Sequence, residues 1–114
     1  MNEAETTLVG NIGGEPEMRF TPNGHAVIKF SVAVTPRIKN AAGEWVDGEP
    51  TWYNCTAWRD LAEHCTETLA KGTRVIVKGR ITLRRYETKE GVKGSSLDLE
   101  VDAIGPELTT PPPT

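Results

Sequence analysis

The sequence predicts an all-β fold, a five-stranded Greek-key barrel with one helix between strands three and four. Three observations carry this. Apolar and polar residues alternate with a period of two in several separate stretches of the 114-residue chain. Eleven Gly and eight Pro are many for this length, and hydrophobic content is only 37%, as in β-rich chains with frequent turns. Only one stretch, near the middle, repeats its apolar residues at helical spacing.

Thr6 to Ile12 reads as the first strand, closed by Gly13 and Gly14. Met18 to Phe20 is a short extended piece before Thr21-Pro22-Asn23-Gly24, where Pro and Asn-Gly supply turn chemistry. Ala26 to Thr35 is the second strand: Ala26, Ile28, Phe30, Val32 and Val34 face one way, Lys29, Ser31 and Thr35 the other. Residues 37–50 are polar and Gly-rich and predict a long flexible hairpin loop. Trp52 to Trp58 is the third strand, with Tyr53, Cys55 and Ala57 on a side that suits a core and Trp52, Asn54, Thr56 and Trp58 on the other.

Leu61, Ala62, Cys65 and Leu69 mark a helix over Arg59–Lys71, with Gly72 as its stop. The fourth strand, Arg74 to Tyr86, carries Val75, Val77, Gly79, Ile81 and Leu83 on one side. Its other side carries Arg74, Ile76, Lys78, Arg80, Thr82, Arg84 and Tyr86. A turn at Glu90-Gly91 leads to the fifth strand, Ser95 to Ile104, where Leu97, Leu99 and Val101 alternate with Asp98, Glu100 and Asp102. Three strands, a helix and two strands is the order of the OB-fold. The domain is expected over residues 1–106, and residues 107–114, ending in TTPPPT, read as the start of a disordered Pro-rich tail.

Composition narrows the function. No run of about 18 apolar residues is present, and the acidic start MNEAETTLVG lacks the basic-then-apolar order of a secretory signal. A cytoplasmic protein without membrane contact is expected. Cys55 and Cys65 form no CxxC pair and share no zinc spacing with His25 or His64, so two buried, reduced thiols are expected and no metal site. No Ser-His-Asp order and no Gly-rich phosphate loop are present, which argues against an enzyme and leaves no catalytic residue or cofactor to assign.

Net charge is −3, yet Lys71 to Lys93 holds eight basic residues against Glu87 and Glu90. The acids gather elsewhere in the sequence, notably from Asp98 to Glu107. Screening limits each charge to about 10 Å of reach at 0.1 M salt, so a local basic stripe matters more than the total. Stacking aromatics interleaved with cations on an exposed strand face hold unpaired nucleic acid strands without reading sequence. Trp52, Trp58 and Tyr86 beside Arg74, Lys78, Arg80 and Arg84 fit that description if the third and fourth strands share a face. The competing readings are that both tryptophans are core residues, and that the basic side is a solvated edge.

LVGNIGGEPEMRFTPNGHAVIKFSVAV, TWYNCTAWRDLAEHCTETLAKGTRVIVKGRI and RRYETKEGVKGSSLDLEVDAIG together resemble the bacterial single-stranded DNA-binding protein family over about residues 5 to 105. The wording is most like actinobacterial members, with a phage-type copy as the alternative. The resemblance implies binding and protection of single-stranded DNA in replication, recombination and repair. Its stacking aromatics fall on Trp52, Trp58 and Tyr86, and its phosphate-contacting cations on Arg37, Lys78, Arg80, Arg84 and Arg85. A further loop aromatic of enterobacterial members falls near Ile38, and Trp45, seven residues on, either substitutes for it or only anchors the loop. The resemblance also implies a homotetramer, with Thr7, Leu8, Val9 and Tyr53 at subunit interfaces. Family members generally continue to an acidic tip that recruits replication and repair proteins. Such partners are expected here only if an acidic tail exists beyond residue 114. A different class, an OB module that binds protein, would be favoured by loss of Trp52, Trp58 or the basic strand, and all are present.

Overall fold

In the computed structural model, which describes residues 4–109, the predicted alternation becomes eight strands and one helix. They are β1 (Ala4–Ile12), β2 (Glu17–Phe20), β3 (Ala26–Val34), β4 (Arg37–Lys39), β5 (Trp45–Asp47), β6 (Thr51–Trp58), α1 (Arg59–Thr68), β7 (Arg74–Glu87) and β8 (Lys93–Pro106). Three short strands, β2, β4 and β5, join the five long ones expected. In the full count the helix therefore follows the sixth strand rather than lying between strands three and four.

Six strands run in the order β1-β7-β8-β6-β3-β2, and β1 closes the sheet on itself by pairing Asn11 with Ala33 and Ile12 with Val32 of β3. Pairing is antiparallel except between β6 and β8, which run parallel with Tyr53 opposite Leu97 and Thr56 opposite Glu100. This is the closed OB barrel. One residue per pair of strand positions points inward. Leu8, Ile12, Ile28, Phe30, Val32, Cys55, Ala57, Val75, Val77, Leu99 and Val101 fill the interior, and Ala62 and Cys65 of α1 plug one end. Both cysteines are free and buried.

Four expectations change. The helix ends at Thr68 rather than Lys71: Leu69 turns extended (φ −87°, ψ 140°) and packs against the core. The Ala70 amide is then taken up by the Thr73 hydroxyl, so Gly72 (φ +88°) shapes the turn after the helix rather than stopping it. Leu83, expected on an inward side, is 49% exposed, because the β7–β8 hairpin runs on beyond the barrel. Residues 37–50 are ordered as a hairpin, β4 on β5, forming a two-stranded sheet of its own. An Asx turn at Asn40 tightens it: the Asn40 carboxamide accepts the amides of Ala42 and Glu44. Of the expected tail, residues 107–114, Glu107 pairs with Arg74, and residues 110–114 lie outside the described residues. Among the described residues no helix is long and apolar enough to cross a membrane.

Candidate nucleic-acid interface

β6 lies between β3 and β8 in a closed sheet, so one of its faces meets the barrel interior and the other faces outward. Cys55 and Ala57 are buried in the barrel and Tyr53 packs on the core, which turns Trp52 and Trp58 outward. Their exposures, 51% and 44%, rule out the core reading for both rings.

Each ring is held. Trp52 lies across Gly13, where a β-carbon would fall 2.2 Å from ring atom Cζ3. Trp58 donates its indole N–H to Glu100 Oε2 at 2.9 Å. Tyr86, on the exposed side of β7, covers Gly94, its cross-strand partner, where a β-carbon would sit 2.6 Å from Cζ. The Arg84 guanidinium stands 5.8 Å from the Tyr86 ring centre. Between the tryptophans, Asn54 and Thr56 floor an open groove of about 660 Å³ that also takes in Glu15, Glu17, Lys29, Ser31, Arg84 and Asp98.

The basic and acidic segments, consecutive in sequence, are the two arms of one hairpin and so lie side by side in space. The antiparallel β7–β8 register sets Arg80 opposite Glu100, Thr82 opposite Asp98 and Arg84 opposite Ser96. Arg84 Nε donates to Asp98 Oδ2 at 2.9 Å, and Arg80 Nε lies 3.5 Å from Asp102 Oδ1. The Asp98 carboxylate also accepts from Ser96 Oγ at 3.0 Å. The basic stripe is thus laced with carboxylates, a feature that the sequence order hides.

Of the expected binding residues, Trp52 and Trp58 lie on the outer face of β6, and Lys78, Arg80, Arg84 and Tyr86 on the outer face of β7, with β8 between the two strands. Arg85 does not join them: alternation sends it to the opposite side of β7 from Arg84 and Tyr86. Arg37 sits on the separate β4–β5 hairpin, ion-paired with Asp47 at 3.1 Å and donating to the Trp45 carbonyl. Trp45 is 60% exposed, with Lys39 Nζ 5.5 Å from its ring centre. Two cations that sequence reasoning did not assign also reach this face. Lys29 of β3 stands opposite Thr56, and Arg19 of β2 stands opposite Val27, which in turn faces Trp58. Their signal was an outward position in alternation; what was missing was the strand pairing.

The expected interface residues split. Thr7 and Val9 are exposed on β1, and Val9 meets Ile76 of β7 in an exposed apolar pair. Leu8 points into the core and is 6% exposed, so its side chain cannot form an interface in this fold. Tyr53 is half-buried against the core. Among the described residues no three His, Cys, Asp or Glu side chains gather as a metal site.

Residues 3–106 match the single-strand binding protein family. A single-stranded DNA-binding protein of Paenarthrobacter aurescens is 50% identical over 107 residues, covering 93% of this chain and 63% of that one. One from Mycobacterium tuberculosis (strain ATCC 25618 / H37Rv) is 52% identical over 103 residues, covering 90% and 63%. The crystal structure of a small single-stranded DNA-binding protein from Streptomyces coelicolor superposes with a TM-score of 0.84 at 35% identity, over 95% of this chain and 97% of that one. The chain spans about 63% of the length of the curated relatives it matches. With an OB barrel, outward tryptophans and a match running from end to end of the barrel, the chain belongs to the single-strand binding protein family.

Proposed function

We propose that the chain binds and protects single-stranded DNA, without sequence preference, during replication, recombination and repair. The observation that carries this is the pair of indole rings held outward on one side of β6, across β8 from the arginines of β7. Bases stack on Trp52, Trp58 and Tyr86, each contributing about 1–3 kcal/mol. Lys78, Arg80 and Arg84 meet phosphates along the same face; Arg37 extends the contact from the β4–β5 hairpin, and Arg85 from the far side of β7. Such work takes place in the cytoplasm, on the nucleoid, and needs no catalysis, metal or cofactor.

The assembly we propose is a homotetramer. β1 pairs with β7 along one edge, but with β3 only at Asn11 and Ile12 among the described residues. The remaining edge and the Val9–Ile76 patch are surfaces that a second copy would cover. Thr7, Val9 and Tyr53 are the residues proposed there. Replication and repair proteins join through an acidic tail if one exists beyond residue 114.

Tryptophan fluorescence titrated with oligo-dT, beside a duplex of equal length, tests the binding. Quenching by oligo-dT at far lower concentration than by duplex is expected, with affinity falling by about 0.7 log unit per log unit of salt for each phosphate neutralised. Equal affinity for the duplex would overturn the assignment.

A further inference from the structure

The β8 carboxylates lie where a phosphate-binding face would be expected to have none. Asp98 holds Arg84, Glu100 holds Trp58, and Asp102 stands beside Arg80. Both ion pairs are partly exposed, with side-chain exposures of 59% and 37% for Arg84 and Asp98 and 43% for each of Arg80 and Asp102. Pairs this open to water contribute little to stability. The effect of these carboxylates on an incoming polyanion is larger, because a phosphate that reaches Arg84 or the edge of Trp58 must come close to Asp98 or Glu100.

Resting on the single-strand reading above, we propose that Asp98 and Glu100 are specificity-determining residues that reject duplex DNA. A unit charge about 6 Å from a phosphate weakens its binding roughly threefold even at the dielectric constant of water. A single strand is flexible and can turn its bases to the rings while its phosphates swing away from β8. A duplex is stiff over about 150 base pairs and carries one charge per roughly 1.7 Å of axis. It meets the same repulsion with no free base face to offset it. The carboxylates thereby make stacking a condition of binding, where a bare basic stripe would hold any DNA.

The double variant Asp98→Asn/Glu100→Gln removes the charge and leaves oxygen acceptors for Arg84 and Trp58. A matched control, Glu63→Gln/Glu67→Gln, makes the same change of net charge on exposed positions of α1. Fluorescence anisotropy with labelled oligo-dT and an equal-length duplex would be run for all three proteins at low and high salt. In the β8 variant, duplex affinity should rise roughly tenfold at low salt, and oligo-dT affinity by about two- to threefold. The control should leave the ratio unchanged, and high salt should erase the difference. Each β8 single variant should show about half the effect on a logarithmic scale. An unchanged or increased preference for single strands in the β8 variants, or the same shift in the control, would overturn this role while leaving the DNA assignment standing. A wild-type chain that fails to prefer oligo-dT would overturn the assignment itself, and this role with it.

Discussion

Gly13 and Trp52 occupy one space. The ring of Trp52 lies so close over the Gly13 backbone that a β-carbon there would come within 2.2 Å of Cζ3 and 2.6 Å of Cη2. An indole on an open sheet surface samples several rotamers; one seated on a glycine is held flat before any ligand arrives. Gly13→Ala should therefore displace the ring without touching DNA itself. Oligo-dT affinity should fall by up to the value of one stack, about 1–3 kcal/mol, together with a shift in tryptophan emission of the free protein. Fluorescence titration checks this, and unchanged affinity would show that the seat is dispensable.

The exposed tryptophans predict a separation of binding from stability. Trp52→Ala and Trp58→Ala should each weaken oligo-dT binding by about 1–3 kcal/mol while the melting temperature stays nearly constant. Phe30, 6% exposed inside the barrel, supplies the contrast. Phe30→Ala should cost about 3–5 kcal/mol of stability. Thermal melts of the three variants beside their titrations decide between a site and a packing role.

Acid should loosen the end of β8. The Thr109 hydroxyl and the Arg74 guanidinium both donate to the Glu107 carboxylate and hold its pKa at about 2, well below its ordinary 4.5. A depressed carboxylate stabilises the fold above its unfolded pKa, and that stabilisation is lost as the pH falls from about 4.5 towards 2. Glu107→Gln should lower the melting temperature at pH 7 slightly and shrink its decline across that window. A parallel decline in both proteins would remove Glu107 from the account.

The thiols predict the opposite limb. Burial pushes Cys55 up to about 12 from 9.0 and raises Cys65 as well. Neither should react with a disulfide reagent at pH 8 in the folded protein, and both should react in denaturant. Because the unfolded thiols ionise near 9 and the buried ones do not, stability should fall as the pH rises above about 9. Rapid labelling of the native protein would show that the barrel end under α1 opens.

Val9 and Ile76 face each other on the outer side of β1 and β7, exposed at 41% and 42%. If copies associate there, Val9→Asp should reduce the mass seen by light scattering while leaving the circular dichroism of the barrel unchanged. An unchanged mass would move the interface elsewhere.

Much of this molecule is legible one strand at a time. Alternation of Tyr53, Cys55 and Ala57 with Trp52, Asn54, Thr56 and Trp58 put both indoles on one side, and their exposure in the folded barrel shows that this side is the outer one. Opposite faces of a strand differ by one residue, and only one of these two could enter a barrel. The same period two found the buried sides of β3 and of β7 as far as Ile81. Which strand lies beside which is another matter. Nothing local in DLEVD says that its carboxylates will stand against Arg84, Trp58 and Arg80. That depends on the register of the β7–β8 hairpin and on the parallel pairing of β6 with β8, whose Trp58 and Glu100 lie 42 residues apart and meet only when the barrel closes on its core. The exposure of Leu83 and the early end of α1 at Leu69 likewise follow from where the barrel stops and what its open end needs filled. Periodicity is a property of neighbours along the chain and assigns each side chain a side. Register, and with it the mixing of arginine, indole and carboxylate on one face, is a property of packing between distant segments.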